Sequence, residues 1–210
     1  AGLDVTADWF RSWGLRLNAG KTEAKVFTLR RLHTDQLTRL TLNNTLVNWK
    51  RTDETVRYLG LHMDTKLNWN THINTKLRLA QPRLGQLYPL INRHTHLKHD
   101  CTKLLYTSLL RPILTYACPV WIGLTKTQTQ KLLRFENKVL RLAVAAPWFV
   151  RNSQIRRELG IPPLTDFIKS LAVSFKTRLP TVPGAVTYRL GEETQNRRLK
   201  PRLMQDILFI

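Results

Sequence analysis

The spacing of apolar residues changes its period near residue 70 of the chain. Before that point, short runs alternate apolar and polar residues as in half-buried strands. After it, apolar residues recur every three or four positions, as in helices. The segment 55–69 contains the change, because a strand-like run ends there in a polar turn. We therefore predict an α+β chain in which a small antiparallel β part precedes an all-helical bundle.

The first seventy residues are predicted to form one helix and about four strands. The helix covers residues 3–13, and Gly14 is a suitable C-cap. Its aromatic residues Trp9, Phe10 and Trp13 are expected to pack on the sheet, as apolar residues at helical spacing usually do. Strands are expected at residues 15–17, 24–28 and 56–63, and a hairpin at residues 40–47 turns at Asn43-Asn44.

The rest of the chain is predicted to be helical between its proline and glycine breaks. Pro82 is expected to bend or break the first helix, and Pro119 to kink the third. Asn152 or Ser153 is the expected cap of a short helix that ends at Gly160. The helices are expected at residues 72–91, 97–110, 112–121, 126–146, 152–159 and 164–179.

The net charge of the chain narrows the choice of partner. Thirty-four Lys and Arg against 14 Asp and Glu give +20 over 210 residues, and 42% of the residues are hydrophobic. Such a charge suits nucleic acid, an anionic membrane or an acidic protein. No apolar run approaches the ~20 residues of a membrane span, and no signal-peptide pattern begins the chain. With two cysteines, an intracellular setting and a nucleic-acid partner are predicted.

The clearest predicted helix, 126–146, carries a row of cations beside its apolar stripe. Such a row suits a phosphate backbone, where each neutralised phosphate releases counterions. An ordinary solvated helix face is the alternative, although like charges at these spacings cost a few tenths of a kcal/mol per pair. Glu136 is the one acid expected to offset them. The cations, called the basic stripe below, are Lys131, Arg134, Lys138 and Arg141.

Zinc binding is suggested by one short run that contains His94, His96, His99 and Cys101. These residue types are zinc ligands. Their spacing matches no common finger or knuckle, and Cys118 lies too far along the chain to complete a close pair. We therefore favour a polar loop between helices and predict no metal site.

Catalytic signatures are missing from the sequence. It contains no Gly-rich phosphate loop, no G-x-S-x-G motif and no Asp-Asp pair. A two-metal phosphoryl-transfer centre needs several inward-facing carboxylates, and the adjacent acids Asp53-Glu54 and Glu192-Glu193 do not suggest such a set. On its own residues the chain is predicted to be a binding module rather than a complete enzyme.

Four blocks of the chain, taken in order and at their intervals, resemble one protein family. The family is the reverse transcriptases of non-LTR (LINE-type) retrotransposons, in their C-terminal half, and the resemblance is strongest to the jockey group of arthropod elements. Each block is weak alone, but four in register are specific. They are WGLRLNAGKTEAKVF (13–27), VRYLGLHMDTKLNWNTHI (56–73), LLYTSLLRPILTYACPVW (104–121) and APWFVRNSQIRRELGIPPL (146–164).

The resemblance implies a role for each part of the chain. Lys21 falls on motif D, whose lysine is thought to protonate the pyrophosphate leaving group; an ordinary surface lysine is the alternative. Tyr58, Leu59 and Gly60 fall on motif E, the primer grip, a β-hairpin that holds the primer end. The implied domains are the end of the palm at 1–68, a helical thumb and connection at 69–180, within which the block 146–164 is structural, and a basic C-terminal tail at 181–210.

The catalytic aspartates of the family are absent from the matching blocks and would precede Ala1. The resemblance therefore implies a parent RNA-directed DNA polymerase that uses Mg²⁺ and works in the nucleus, while the isolated chain binds no cofactor and does not polymerise. Its partners would be an RNA template, a DNA primer or their duplex, and the rest of the polymerase, with no membrane. The alternatives are a retained, non-catalytic nucleic-acid-binding remnant and a scaffold for acidic proteins.

Overall fold

The computed structural model describes residues 2–28, 37–91 and 98–181. The chain divides into two compact units, residues 1–72 and residues 73–210. Two small antiparallel sheets lie in the first unit, and helices make up the regular structure described in the second. The predicted α+β class is therefore confirmed. The division into palm end, thumb and tail stays a prediction, and the predicted tail lies outside the described residues after Thr181.

The first unit combines one helix with two β-hairpins. Each hairpin is a separate two-stranded antiparallel sheet, and a single turn of 3₁₀ helix, Ala19–Lys21, precedes the first of them. The elements are α1 (Gly2–Ser12), β1 (Leu40–Leu42), β2 (Thr45–Val47), β3 (Val56–Tyr58) and β4 (Leu61–Met63).

The core of the first unit lies between α1 and the β1–β2 hairpin. Ala7, Leu42 and Val47 are buried there, and Leu3 and Leu17 pack against them. The prediction that the helix aromatics pack on a sheet is wrong for two of them, because Trp9 and Trp13 are 56% and 69% exposed. The helix turns the face of Leu3 and Ala7 inward, so the tryptophans point outward and contact each other, with ring centroids 6.0 Å apart.

The predicted strands at 15–17 and 24–28 are wrong. Ala24 makes one isolated parallel bridge to Trp49, in which the Lys50 amide donates to the Ala24 carbonyl at 2.8 Å. The Thr28 amide donates instead to Thr65 O at 3.0 Å. The segment therefore bonds to separate neighbours along its length, and no ladder continues along it. Phe27 is 44% exposed.

Both hairpins turn through residues with a left-handed backbone. Asn43 and Asn44 have φ of 50° and 59°, which confirms the predicted turn. The single strand predicted at 56–63 is wrong, because Leu59 and Gly60, with φ of 47° and 79°, fold it into β3 and β4. The strand-like spacing of apolar residues conceals this turn, because its first central residue is a leucine. The resemblance, by contrast, implies a β-hairpin at this point.

The second unit, as far as it is described, is helical. The helix α2 begins in the first unit and continues into the second, and a π-helical stretch, Tyr106–Leu110, joins α3 to α4. The elements are α2 (Asn70–Ile91), α3 (His99–Leu105), α4 (Arg111–Thr115), α5 (Cys118–Trp121), α6 (Lys126–Ala143), α7 (Asn152–Leu159) and α8 (Leu164–Arg178).

Prolines and caps behave only partly as predicted. Pro82 does not break α2. The helix predicted after Pro112 is interrupted at Ala117, whose φ is 54°. Pro119 therefore lies in the first turn of a new helix, α5, and does not kink a longer one. Arg151, whose side chain makes no capping hydrogen bond, is the N-cap of α7 in place of Asn152 or Ser153. Gly160 ends α7 at φ 59°, as predicted.

Contacts between short and long helices build the core of the second unit. Leu114 and Trp121 are fully buried, and α8 packs on both α5 and α6 while α7 packs on α6. The apolar stripe predicted on α6 comprises Leu132, Phe135, Val139 and Leu142. The first three are buried, and Leu142 is half-buried. A capping box between Thr125 and Gln128 fixes the start of this helix.

Candidate nucleic-acid interface

Lys21 lies at the end of a rigid turn on the surface of the first unit. Asn18 caps the turn, since its Oδ1 accepts a hydrogen bond from the Lys21 amide at 3.2 Å. The Thr22 hydroxyl donates to Asn18 O at 2.9 Å and closes the turn from the other side. The backbone of Lys21 is therefore fixed while its side chain is exposed. This geometry suits both the predicted general acid and a surface lysine.

The tip of the β3–β4 hairpin presents apolar side chains to solvent. Tyr58 and Leu59 are 61% and 72% exposed, whereas Leu61 on the returning strand is buried. The His62 amide donates to His72 Nδ1 at 3.3 Å, which ties the hairpin to the start of α2. The structure thus brings the three predicted primer-grip residues together at one supported tip.

The four residues of the basic stripe do not share one role. Arg134 and Lys138 are exposed on α6. The Lys131 ammonium donates to Asn74 Oδ1 of α2 at 3.1 Å, so it is partly engaged within the protein. The stripe that sequence spacing predicts is therefore reduced to two outward cations at its centre.

Arg141, the last residue of the stripe, holds a loop in place. Its guanidinium donates to the carbonyl of Val150 at 2.7 Å, to Asn152 Oδ1 at 3.0 Å and to the carbonyl of Pro147 at 2.5 Å. These three acceptors span the connection between α6 and α7. Because one planar group with fixed donor directions binds all three, the connection has a defined shape.

Glu136 does not offset the basic stripe, contrary to the prediction. Its side chain is fully buried, and it accepts hydrogen bonds from Tyr106 Oη at 2.7 Å, Arg156 Nη2 at 2.9 Å and the Leu164 amide at 3.3 Å. Burial raises the pKa of Tyr106, and the adjacent charge of Glu136 raises it further. Because the carboxylate is bound inside the protein, it does not neutralise the charges of Arg134 and Lys138.

A second buried cation fixes the start of α8. Arg111 is 6% exposed; its guanidinium lies 3.8 Å from the centre of the Phe167 ring and donates to the Pro162 carbonyl at 3.0 Å. A desolvated cation over an aromatic ring contributes about 2 kcal/mol. Two of the basic residues of the second unit, Arg111 and Arg156, thus stabilise the fold and offer little to a ligand.

An open groove of about 570 Å³ runs beside the outward cations of α6. No Asp or Glu of the described residues lines it, so its potential is positive. The residues that line it are Tyr88, Arg134, Asn137, Lys138, Arg141, Leu142, Ala145, Ala146 and Asn152.

An exposed aromatic pair lies beside this groove, and the sequence pattern did not lead us to expect it. Trp148 and Phe149 are 88% and 68% exposed, and their ring centroids lie 6.0 Å apart at 83°. They lie in the loop that Arg141 binds, between the groove-lining residues Ala146 and Asn152. The resemblance gives the block 146–164 a structural role, which fits the buried Ile155 and not this pair. The sequence does contain a signal for this pair, namely two adjacent aromatic residues between the end of a helix and a basic segment.

Neither a metal centre nor a membrane segment is visible in the part of the chain that the structure describes. No three His, Cys, Asp or Glu side chains gather there in a way that could hold a metal ion. His94 and His96 lie outside the described residues, while Cys101 is exposed. Cys118 is buried, and burial raises the pKa of its thiol to about 11. Among the described helices, none combines the length and apolar character that crossing a membrane requires.

The chain is similar along most of its length to polymerases of mobile elements. It is 29% identical over 189 residues to the RNA-directed DNA polymerase from mobile element jockey of Drosophila melanogaster, an alignment that covers 90% of this chain and 20% of that protein. The jockey polymerase of Drosophila funebris is 29% identical across 98% of this chain and 23% of its own length. The probable polymerase from transposon X-element of Drosophila melanogaster is 23% identical across 96% and 22%.

These relatives confirm the resemblance to jockey-type RNA-directed DNA polymerases. The chain spans about a fifth of the length of the curated relatives it matches. No family model matches the chain. No solved structure matches it either.

Proposed function

From this similarity to jockey-type RNA-directed DNA polymerases, we propose that the chain is the part of a retrotransposon reverse transcriptase that grips the template–primer. The first unit would supply the primer grip at the β3–β4 tip, and the second unit a basic surface for the RNA–DNA duplex. The observation that carries the proposal is the similarity to these polymerases over 90% or more of the chain. We also propose that the protein acts in the nucleus, where the template–primer would form.

The proposal leaves the chemical step to other residues. The Mg²⁺ that the resemblance implies does not fit the described residues, because no set of carboxylates gathers among them. We therefore derive no metal-dependent step from this chain. Lys21 stays a prediction as the general acid, and its fixed, exposed turn is compatible with that role.

The strained backbone at the hairpin tip supports a contact role for Leu59. A leucine with φ of 47° costs about 1–2 kcal/mol relative to the right-handed region, and asparagine is favoured at the first central position of such a turn. The side chain is 72% exposed, so folding recovers little of this cost through burial. An exposed apolar residue in a strained position suggests a contact with a ligand.

Replacing Leu59 with asparagine is expected to separate folding from binding. Leu59→Asn should raise the free energy of unfolding of the first unit by about 1 kcal/mol, because it gives the turn its preferred Asn-Gly sequence. It should weaken binding of an RNA–DNA hybrid several-fold, because the apolar tip is lost. Chemical denaturation and fluorescence anisotropy on the same protein measure the two effects.

The control for this prediction is Leu46→Asn. Leu46 is 54% exposed on the other hairpin, in a strand rather than a left-handed turn. This variant should bind the hybrid as the wild type does. Unchanged hybrid affinity in Leu59→Asn would remove the hairpin tip from the proposed interface.

The outward cations of α6 are expected to determine the salt dependence of duplex binding. Each phosphate contact contributes about 0.9 to the slope of log K against log salt concentration. Replacing Arg134 and Lys138 together with alanine should therefore reduce that slope by about 2. Titration of a blunt RNA–DNA hybrid at several salt concentrations measures it.

The matched control removes two exposed charges from a different helix. Lys169 and Arg178 are exposed on α8, so the double variant Lys169→Ala/Arg178→Ala loses the same net charge. Its slope should stay near that of the wild type. Equal losses of slope in the two double variants would show that binding depends on net charge alone and would contradict the proposed surface.

A further inference from the structure

The loop between α6 and α7 exposes two aromatic rings on a backbone that hydrogen bonds hold in place. Trp148 is 88% exposed, and tryptophans in folded proteins are usually buried to a large extent. The loop that carries it is not loosely held, since the Val150 amide donates to Pro147 O at 3.1 Å and Arg141 binds three of its acceptors. A loop of defined backbone shape that exposes so much aromatic surface is suited to a ligand, because little backbone conformational entropy remains to be lost on binding.

The surroundings of the pair are cationic. Arg151, two residues after Phe149, is exposed, and the adjacent groove carries the outward side chains of Arg134 and Lys138. None of the described residues that line this groove is acidic, because Glu136 is turned into the core. The pair therefore stands at the edge of a surface that attracts phosphate.

We propose that Trp148 and Phe149 form a stacking platform for unpaired bases of a nucleic-acid strand whose phosphates lie along the α6 groove. This inference rests on the proposed function, in which the same groove contacts the duplex. It extends that function to the strand that continues beyond the paired region. Stacking does not depend on base identity, so the platform would accept any sequence.

The combination of rings and cations favours a nucleic acid over a protein surface. Single-strand binding sites pair a basic channel with aromatic side chains on which bases stack. A protein interface also enriches aromatic residues and arginine, but it depletes lysine and places its aromatic anchors in an apolar core. Here the neighbours of the pair are Arg151 and the cations of the groove.

The test compares two probes on the intact chain. One is a blunt RNA–DNA hybrid, and the other is the same hybrid with an unpaired oligothymidine tail. Trp148→Ala should weaken binding of the tailed hybrid by about 5- to 150-fold, the range measured for loss of one stacked base. Binding of the blunt hybrid should stay within about twofold, because phosphate contacts dominate there.

Two further variants make the result specific. Trp148→Phe keeps an aromatic face and should retain most of the affinity for the tail. Trp13→Ala removes another exposed tryptophan, 69% exposed in the turn after α1 of the first unit, and should leave both probes unaffected. Because Trp148 buries little surface, its alanine variant is expected to fold as the wild type does.

Each outcome has a distinct meaning. If Trp148→Ala binds both probes like the wild type, the platform is wrong while the duplex-gripping function stands. The aromatic pair would then be assigned to contact with a protein partner. Equal weakening of both probes also overturns the platform, because it shows a general effect on the groove. If the wild type binds the tailed hybrid through Trp148 but does not bind the blunt hybrid, the platform stands and the duplex-gripping function fails.

Discussion

Replacing Glu136 with glutamine is expected to lower the free energy of unfolding of the helical unit by about 3–5 kcal/mol. The carboxylate is fully buried and is bound by Arg156, whose side chain is 14% exposed. The glutamine would leave this guanidinium without its counter-charge. Its amide NH₂ would also face either the Tyr106 hydroxyl or the pair formed by Arg156 and the Leu164 amide, and all three of these groups donate to the carboxylate in the native protein.

Urea denaturation followed by circular dichroism measures this loss. The control is Glu158→Gln on α7, an exposed glutamate that accepts a hydrogen bond from Gln154 at 3.1 Å. That variant should change the unfolding free energy by less than about 0.5 kcal/mol. A Glu136→Gln protein as stable as the control would show that the buried carboxylate does not carry the stability assigned to it.

Truncating Trp121 to alanine is expected to cost a similar amount, about 3–5 kcal/mol. The indole is fully buried on α5, which packs on α8. Its Nε1 donates to the Tyr116 carbonyl at 2.9 Å, next to the left-handed Ala117. The substitution therefore removes a large apolar side chain and also an anchor of the turn between α4 and α5.

A tryptophan with the opposite exposure provides the comparison. Trp148→Ala removes the same side chain from the surface and should change stability by less than about 0.5 kcal/mol. Trp121→Phe should fall between the two, because it keeps most of the apolar volume and loses the hydrogen bond to Tyr116. Equal stability of the two alanine variants would contradict the packing described for α5.

The sequence correctly predicted those features of the fold that depend on interactions between residues close together in the chain. Asn43-Asn44 predicted the first hairpin because asparagine tolerates the left-handed backbone at both central positions. Gly160 predicted the end of α7 for the same reason. The apolar positions of α6 were predicted correctly, because a helix that packs on one side needs a repeating stripe.

The roles of the charged residues could not be read from spacing. Lys131, Arg134, Lys138 and Arg141 look equivalent on a helical projection, yet Arg141 binds the loop 147–152 and Lys131 contacts α2. Glu136 is paired with Arg156, twenty positions along the chain. Such pairs depend on how α6, α7 and α8 pack, and periodicity within one helix carries no information about that.

The strands at 15–17 and 24–28 failed for a related reason. Alternation of apolar and polar residues predicts a strand only where a neighbour offers a continuous edge. Ala24 finds one bridge to Trp49 and Thr28 finds one bond to Thr65. The exposure of Trp9 and Trp13 results from the turn of α1 toward the hairpin, which the helical spacing did not determine.

The π-helical stretch Tyr106–Leu110 is a place where the chain can lose one residue without a change in the direction of its flanking helices. A π-turn contains one residue more than the regular turn it replaces. Deleting a single residue among Thr107, Ser108 and Leu109 would therefore leave a regular turn, and α3 and α4 would keep nearly the same orientation about their common axis. Tyr106 would still point toward Glu136, so chains of this fold should tolerate a one-residue gap here more readily than in the regular turns of α6.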